Sequence, residues 1–361
     1  MTTRPIPNLT FHILSENRSI ALLTMVSLLS VSFVPSIFAD DTASPGAAMT
    51  KAANRFVKTL SEDEIKTTIF DYDSPKRVGW HFIPKDSRKG FQWKKMSKSQ
   101  KVAAMNLLQS SLSAAGYTKA RNVMQLESFL YSVEQGKGNV RDPERYYFTL
   151  FGKPGSDAKW GFSFEGHHLS MNFVVKNDKL ISVSPSFYAA NPATVKSDRL
   201  QSVPKGTRVL ASEEKLAFFL VNDLSETQKS KAIFAKKAPK EIRAAGEPQA
   251  PNEKPIGIKG SDLNKKQLAI LKGLVVTYAA NFPIKIGTAK ITQIEKDGWG
   301  NVHFAWGGAT NPGIGHYYRI QGENVLIEFV NTQPDAEGNP ANHIHCVWRN
   351  PKGDFAIEIE K

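Results

Sequence analysis

Two stretches of this sequence repeat a pattern that strands joined by tight turns satisfy. "FTLFG" ends at Gly152 and "FAWGG" at Gly308, and fourteen residues lead from each to a second glycine, Gly166 and Gly322. Between them lie "WGFSFEG" and "HYYRIQG", and after them "HHLSMNF" and "ENVLIEF". His167-His168 thus falls opposite Glu323-Asn324, and Asn172 opposite Glu328. Dense aromatic and β-branched residues between turn residues are the mark of strands. Each block follows a helix that opens on a Ser/Asn-x-x-Gln cap. The pattern predicts an α+β fold of two helix-plus-antiparallel-sheet halves, with an internal duplication as its source.

The rest of the chain fits that frame. Residues 43–70 keep a helical apolar period, and Ser61 with Glu64 reads as a capping box. Ser97 with Gln100 caps a next helix, for which Gly116 reads as the stop, and a further helix covers 118–135. Strands are expected over 146–152, 161–175 and 179–187. Helix returns over 212–234, broken near Asp223, with Ser225 and Gln228 as another box, and again over 264–281. Strands are then expected over 285–295, 300–307, 315–321, 324–331, 342–349 and 355–360. Residues 235–262 carry Lys, Pro and Gly with little period and read as a connector. The expected division is a first half over 40–234, that connector, and a second half over 263–361.

At the N-terminus, Arg4 and Arg18 precede an uncharged apolar run from Ile20 to Val34, and Ala39 precedes Asp40-Asp41. A positive start, an apolar core of about 15 residues and a small residue at the cut make residues 1–39 a secretory signal peptide. The core is short of the ~20 residues that a span needs, so no stable membrane span is expected after cleavage. The expected location is periplasmic or secreted. The net charge is +13, but its lysines are dispersed and the densest runs lack interleaved aromatics. A solvated basic face is expected, not nucleic-acid binding. Cys346 is the single cysteine, which excludes an internal disulfide and a thiolate metal cage.

Six of the eight histidines lie in or near the strand blocks: His167, His168, His303, His316, His343 and His345. Alternation along a strand puts His343 and His345 on one face, roughly 6–7 Å apart at Cα, a workable chelate spacing. Gly166 allows a bend before the other pair, which leaves open whether His167 or His168 points to a site. The candidate metal ligands are His167, His168, His343, His345 and His316. Glu165 is the candidate catalytic base, and Glu165 or Glu328 could complete the ligand shell. Neutral imidazoles suit a divalent zinc, copper or iron ion. The competing reading is a non-catalytic ligand- or partner-binding module whose histidines are structural. Arg141 to Tyr147 reads as an ion-paired turn leading into a strand, with an anion site at Arg141 as the alternative. No phosphate loop, His-Glu-x-x-His helix or Gly-x-Ser-x-Gly elbow occurs, so no nucleotide cofactor is expected.

"RDPERYYFTLFG" (141–152), "WGFSFEGHHLSMNF" (160–173), "SPSFYAANPA" (184–193), "GHYYRIQGENVLIEFVNTQ" (315–333) and "NHIHCVWRNPKGDF" (342–355) carry a resemblance. They resemble an exported bacterial family, domain of unknown function 3500, over about residues 75–355. The resemblance implies no established reaction. It implies glycine at position 189 and aspartate at position 330, where this chain has Ala189 and Val330, and a further histidine beyond the segment at Phe355. The sequence points to an exported His-liganded metalloprotein, acting as a metal-dependent hydrolytic or oxidative enzyme on a small-molecule or peptide substrate that it does not identify.

Overall fold

A computed structural model describes residues 44–155 and 159–359. The expected signal peptide lies outside the described residues. Caps decide where the helices begin. α1 (Pro45–Val57) starts on Ser44, whose side chain accepts from the Ala47 amide. α2 (Glu62–Thr68) and α3 (Lys98–Ser111) carry the expected capping boxes at Ser61/Glu64 and Ser97/Gln100. α4 (Ala114–Glu134) opens on Ser113, and α5 (Ala211–Asp223) follows the first strands. α6 (Glu226–Ala232) and α7 (Lys265–Ala279) again carry boxes, at Ser225/Gln228 and Asn264/Gln267, and α8 (Ile284–Asp297) closes the set. Each box satisfies two amide donors that the first helical turn leaves unpaired.

Two expectations of strand fail. Residues 285–295 form α8, because Gly287, Ile291 and Ile294 recur at helical spacing and turn one face inward. Residues 354–356 form a 3-10 turn instead of a strand. There the Asp354 carboxylate accepts from Arg349 Nε at 2.6 Å and from the Asn350 amide at 2.8 Å. Gly116 does not stop a helix either. It sits in the first turn of α4, where a Cβ would lie 2.2 Å from the Asn281 carbonyl oxygen. Only glycine lets that backbone approach.

The strands are β1 (Ile69–Phe70), β2 (Phe91–Gln92), β3 (Tyr147–Phe151), β4 (Lys159–Gly166), β5 (Leu169–Lys176), β6 (Lys179–Ser182) and β7 (Ser186–Ala190). The second set is β8 (Ile233–Ala235), β9 (Ile258–Lys259), β10 (His303–Gly308), β11 (His316–Gln321), β12 (Leu326–Gln333) and β13 (His343–Arg349). All join one 13-stranded sheet, ordered β1-β3-β4-β5-β7-β13-β12-β11-β10-β8. The order reads alike from both edges. β1 runs parallel to β3 as β8 does to β10, and β2 and β9 each add antiparallel to those same strands.

Registers repeat as well. Tyr147↔Glu165 and Glu165↔Ser170 in the first half become His303↔Gln321 and Gln321↔Leu326 in the second, each 156 residues on. The polar capping residues repeat too: Gln100 Nε2 donates to the Thr59 carbonyl and to Glu64, while Gln267 Nε2 donates to the Asp223 carbonyl and to Gln228. The halves meet where β7 pairs antiparallel with β13, so they share one sheet.

The two faces of the sheet differ in kind. One carries Phe148, Phe164, Leu169, Tyr188, Phe329, Ile344 and Trp348 into a core with α1, α3, α4, α5 and α7. The other carries Phe187, Ala189, Tyr317, Val330 and Val347 beneath irregular segments that bring Trp80, Phe82, Ile242 and Phe355. Irregular chain has carbonyls that need donors when buried. Arg77 donates to the Phe355 carbonyl, Arg349 to those of Ala244 and Glu247, Trp80 to that of Glu247, and Gln321 to that of Glu253. Residues 235–262, expected as a connector, therefore cover this second face. Among the described residues no helix is long and apolar enough to cross a membrane.

Candidate metal centre

The centre is built on the loop-covered face, around β7. The β4–β5 hairpin closes through the pair Gly166↔Leu169, leaving His167-His168 as its two-residue turn. A Cβ at Gly166 would fall 2.2 Å from the Tyr146 ring, and Tyr146 donates its hydroxyl to the His167 carbonyl at 2.9 Å. His168 takes a φ of +65°, the left-handed region that a bulky residue rarely occupies. Its backbone is held on both sides: its amide donates to the Phe82 carbonyl, and its carbonyl accepts from the Ala189 amide, each at 2.9 Å. Unusual backbone over-determined in this way clusters at functional sites.

From the other side comes β13. His345 lies opposite Ala189 of β7 and Val330 of β12. The small side chain of Ala189 leaves room above β7, and the imidazoles of His168 and His345 meet there. His343 sits at the start of the strand beside a register shift in β12, its amide donating to Asn331 Oδ1 at 3.0 Å. His343 Nε2 lies 2.9 Å from His168 Nε2 and 3.0 Å from His345 Nε2. The two remote segments that the sequence singled out converge, and ligand atoms of His168, His343 and His345 all lie within 4.8 Å of one another.

Proton bookkeeping shows what this cluster requires. His345 Nδ1 lies 2.7 Å from Glu241 Oε2, so Nδ1 carries the proton and Nε2 a lone pair. His343 hydrogen-bonds the Pro334 backbone, which offers only a carbonyl acceptor, and its Nε2 already faces its neighbours. Its proton is therefore on Nδ1 as well. Two lone pairs then face each other at 3.0 Å, a repulsive arrangement that a proton on one Nε2 or a metal ion between them relieves. Burial above all pushes His343 down to about 2, and burial likewise pushes His168 well below the usual histidine range. Both imidazoles stay neutral near neutral pH, as metal ligands must.

The spacing fits an ion. Two nitrogens each ~2.1 Å from a shared ion lie about 3.0 Å apart at a right angle and about 3.4 Å at the tetrahedral angle. The Glu241 carboxylate behind His345 is the usual partner that orients a ligating imidazole. Phe82 and Phe187 set their rings against His345, with centroids at 4.9 and 5.6 Å, and wall that side with apolar surface.

His167 points elsewhere. Its ring stacks on His168 with centroids 3.6 Å apart, but its Nδ1 lies 2.5 Å from Glu127 Oε1. Arg141 Nη1 lies 3.2 Å from that same Nδ1, while the guanidinium grips Glu134 with two bonds of 2.8 Å. Glu127, His167 and His168 also lie close enough to hold an ion, yet the Arg141 charge disfavours one there. His167 is thus a carboxylate-oriented imidazole beside the trio. Arg141 is ion-paired, but with Glu134 of α4 and not within its own turn, whose Asp142 and Glu144 pair outward with Lys94 and Lys101.

His316 and Glu165 do not join the trio. His316 pairs with Asn331, which pairs with Ile344, so it faces the helices, on the opposite side of the sheet from His345. It stacks on Trp306 and faces Glu214 at 3.2 Å. Glu165 lies on the loop-covered face, but its carboxylate is held by Lys89 Nζ at 3.0 Å and by Ser170 Oγ at 3.2 Å. Glu328 accepts from Arg243 and Tyr317. Cys346 is buried on the helix side with its thiol pushed up by burial, which disqualifies it as a nucleophile. Sequence reasoning missed Glu127 and Glu241. Glu127 left a signal, a carboxylate in register with Val123 and Leu130 on the buried stripe of α4. Glu241 left none, being one charge in a lysine-rich segment.

Comparison with known proteins adds one finding. The family described as "Protein of unknown function (DUF3500)" matches residues 42–357. The chain belongs to DUF3500. No curated protein and no solved structure matches it. In this DUF3500 member both departures from the expected family residues, Ala189 and Val330, lie directly opposite His345 on its two neighbouring strands.

Proposed function

We propose that this DUF3500 protein is an exported metal-dependent hydrolase whose ion is held by His168, His343 and His345. The observation that carries the reading is the convergence of three imidazole Nε2 atoms, two at 3.0 Å and a third at 2.9 Å. A proton on His345 would relieve one contact. A metal ion can take all three nitrogens at once, and three neutral imidazoles suit zinc, copper, iron or nickel. Bound there with an open position, such an ion supplies Lewis acidity and lowers the pKa of a bound water.

The protein's own share is positional. Glu241 holds His345 in the ligating tautomer. Glu127 holds His167 with its Nε2 turned away from the carboxylate, in the arrangement of a general acid–base pair. That dyad favours hydrolysis over electron transfer, because moving protons beside an activated water needs a base and redox ligation does not. Glu165, committed to Lys89, is displaced from the role of base by His167. The signal-like residues 1–39 support export, with a mature chain starting at Asp40.

The test is elemental analysis of the protein recovered from the periplasmic fraction of cells that express the full-length chain, beside a His343→Ala/His345→Ala variant. About one metal ion per chain is expected in the parent and almost none in the variant. Equal metal content in both would remove the centre, and a chain found uncut in the cytoplasm alone would remove export.

A further inference from the structure

A groove of about 660 Å³ runs over the surface between the end of α2, the 86–95 segment and the 140–147 segment. Five of its walls, Arg88, Val140, Asp142, Arg145 and Tyr147, also line a narrow pocket of about 20 Å³ that reaches Glu127 and His167. That is space for one water-sized group. The small pocket at the Glu127–His167 dyad thus adjoins the groove along those five residues as its narrow end, and lies one stacked ring away from the histidine trio.

Charge at the narrow end is unbalanced. Its carboxylates are engaged: Glu127 with His167, and Asp142 with Lys94 at 2.5 Å. The cations are less so. Lys85 is exposed and makes no ion pair among the described residues. Arg145 donates from Nη2 to the Asp86 carbonyl at 2.7 Å and pairs with no carboxylate among the described residues. The Tyr147 hydroxyl accepts from Gln92 Nε2 at 2.9 Å and keeps its own proton to donate. A lysine, an arginine and a phenol proton around one small pocket are the donors that an anionic oxygen group calls for.

We propose that this groove is the substrate channel of the centre, and that its inner end takes one oxygen of an anionic group, carboxylate or phosphate, read by Lys85, Arg145 and Tyr147. The channel role rests on the metal-centre reading above; the anion site does not. A substrate held there would present its neighbouring bond to His167.

Calorimetric titration of the metal-free full chain with inorganic phosphate and with acetate tests the anion site and separates the two chemistries. Saturable binding of one of them is expected, weakened at least tenfold in Lys85→Gln/Arg145→Gln and to a lesser degree in Tyr147→Phe, with the unfolding temperature unchanged. Equal affinity in the variants, or no saturable binding of either anion, overturns the proposal. The cobalt-loaded chain tests the channel: the bound anion should shift the visible cobalt spectrum in the parent. A spectrum indifferent to saturating anion overturns the channel. Failure of cobalt to bind, with the calorimetry as expected, removes the metal reading and leaves the anion site standing.

Discussion

Glu241 shows how much of the centre rests on one residue outside the histidines. It comes from irregular chain, is one-third exposed, and makes its contact through a single oxygen at 2.7 Å from His345 Nδ1. Removing its charge leaves His345 free to place its proton on either nitrogen, and half of those choices abolish ligation. Loss of such a partner commonly costs 10–100-fold in metal affinity. Glu241→Gln is expected to weaken zinc binding by about that factor in a competition titration, with stability of the metal-free protein hardly altered. Unchanged affinity would mean that the pair is a surface contact only. The same scale explains why histidine spacing was legible while its consequences were not. His-x-His on a strand dictates a shared face, but which imidazole of the His167-His168 turn joins it depends on a positive φ that nothing in the local sequence announces.

Among the elements, α5 ties the second half together through one carboxylate. Burial alone would raise the Glu214 pKa, but His316 and Asn331, with the charge of Arg208, outweigh it and lower the value below the ordinary 4.5. A carboxylate with a depressed folded value binds fewer protons folded than unfolded. Its contribution is therefore complete above the unfolded pKa and is lost as pH falls through the folded value. Glu214→Gln is expected to lower stability by about 1–3 kcal/mol near neutral pH, and to flatten the fall in stability below pH 4.5, measured by urea unfolding across pH. An unchanged acid slope would place the acid sensitivity elsewhere. The capping boxes were fully legible because they are contracts between residues three apart. α8 was misread because its isoleucines and threonines favour strands by type while their spacing favours a helix, and packing of Ile291 and Ile294 sides with the spacing.

At the scale of the molecule, the repeat seen in the sequence is real in register and still does not make two separable bodies. β7 is wholly buried and pairs on one side with β5 and on the other with β13. A chain ending at Ala235 would leave β7 as a bare, flat, apolar edge. Such a half is expected to aggregate on refolding, where the full chain yields a soluble monomer or defined oligomer by light scattering. A monomeric half with cooperative thermal unfolding would show that the halves fold independently. The centre depends on this junction as well, since His168 comes from the first half, His343 and His345 from the second, and Glu241 from the segment between.

What the sequence determined by itself was local: the caps, the alternation of the strands, the paired glycines and the presence of imidazoles at chelating distance along a strand. These depend on neighbours within a few residues, whose geometry the backbone dictates. Tertiary structure alone decided that His316 faces the helices, that Glu165 answers to Lys89, that His167 answers to Glu127, and that a presumed linker supplies Glu241. Each of those depends on which strand lies beside which and on what covers the sheet. Contacts of that kind are set by the packing of residues a hundred or more positions apart, which leaves no period to read.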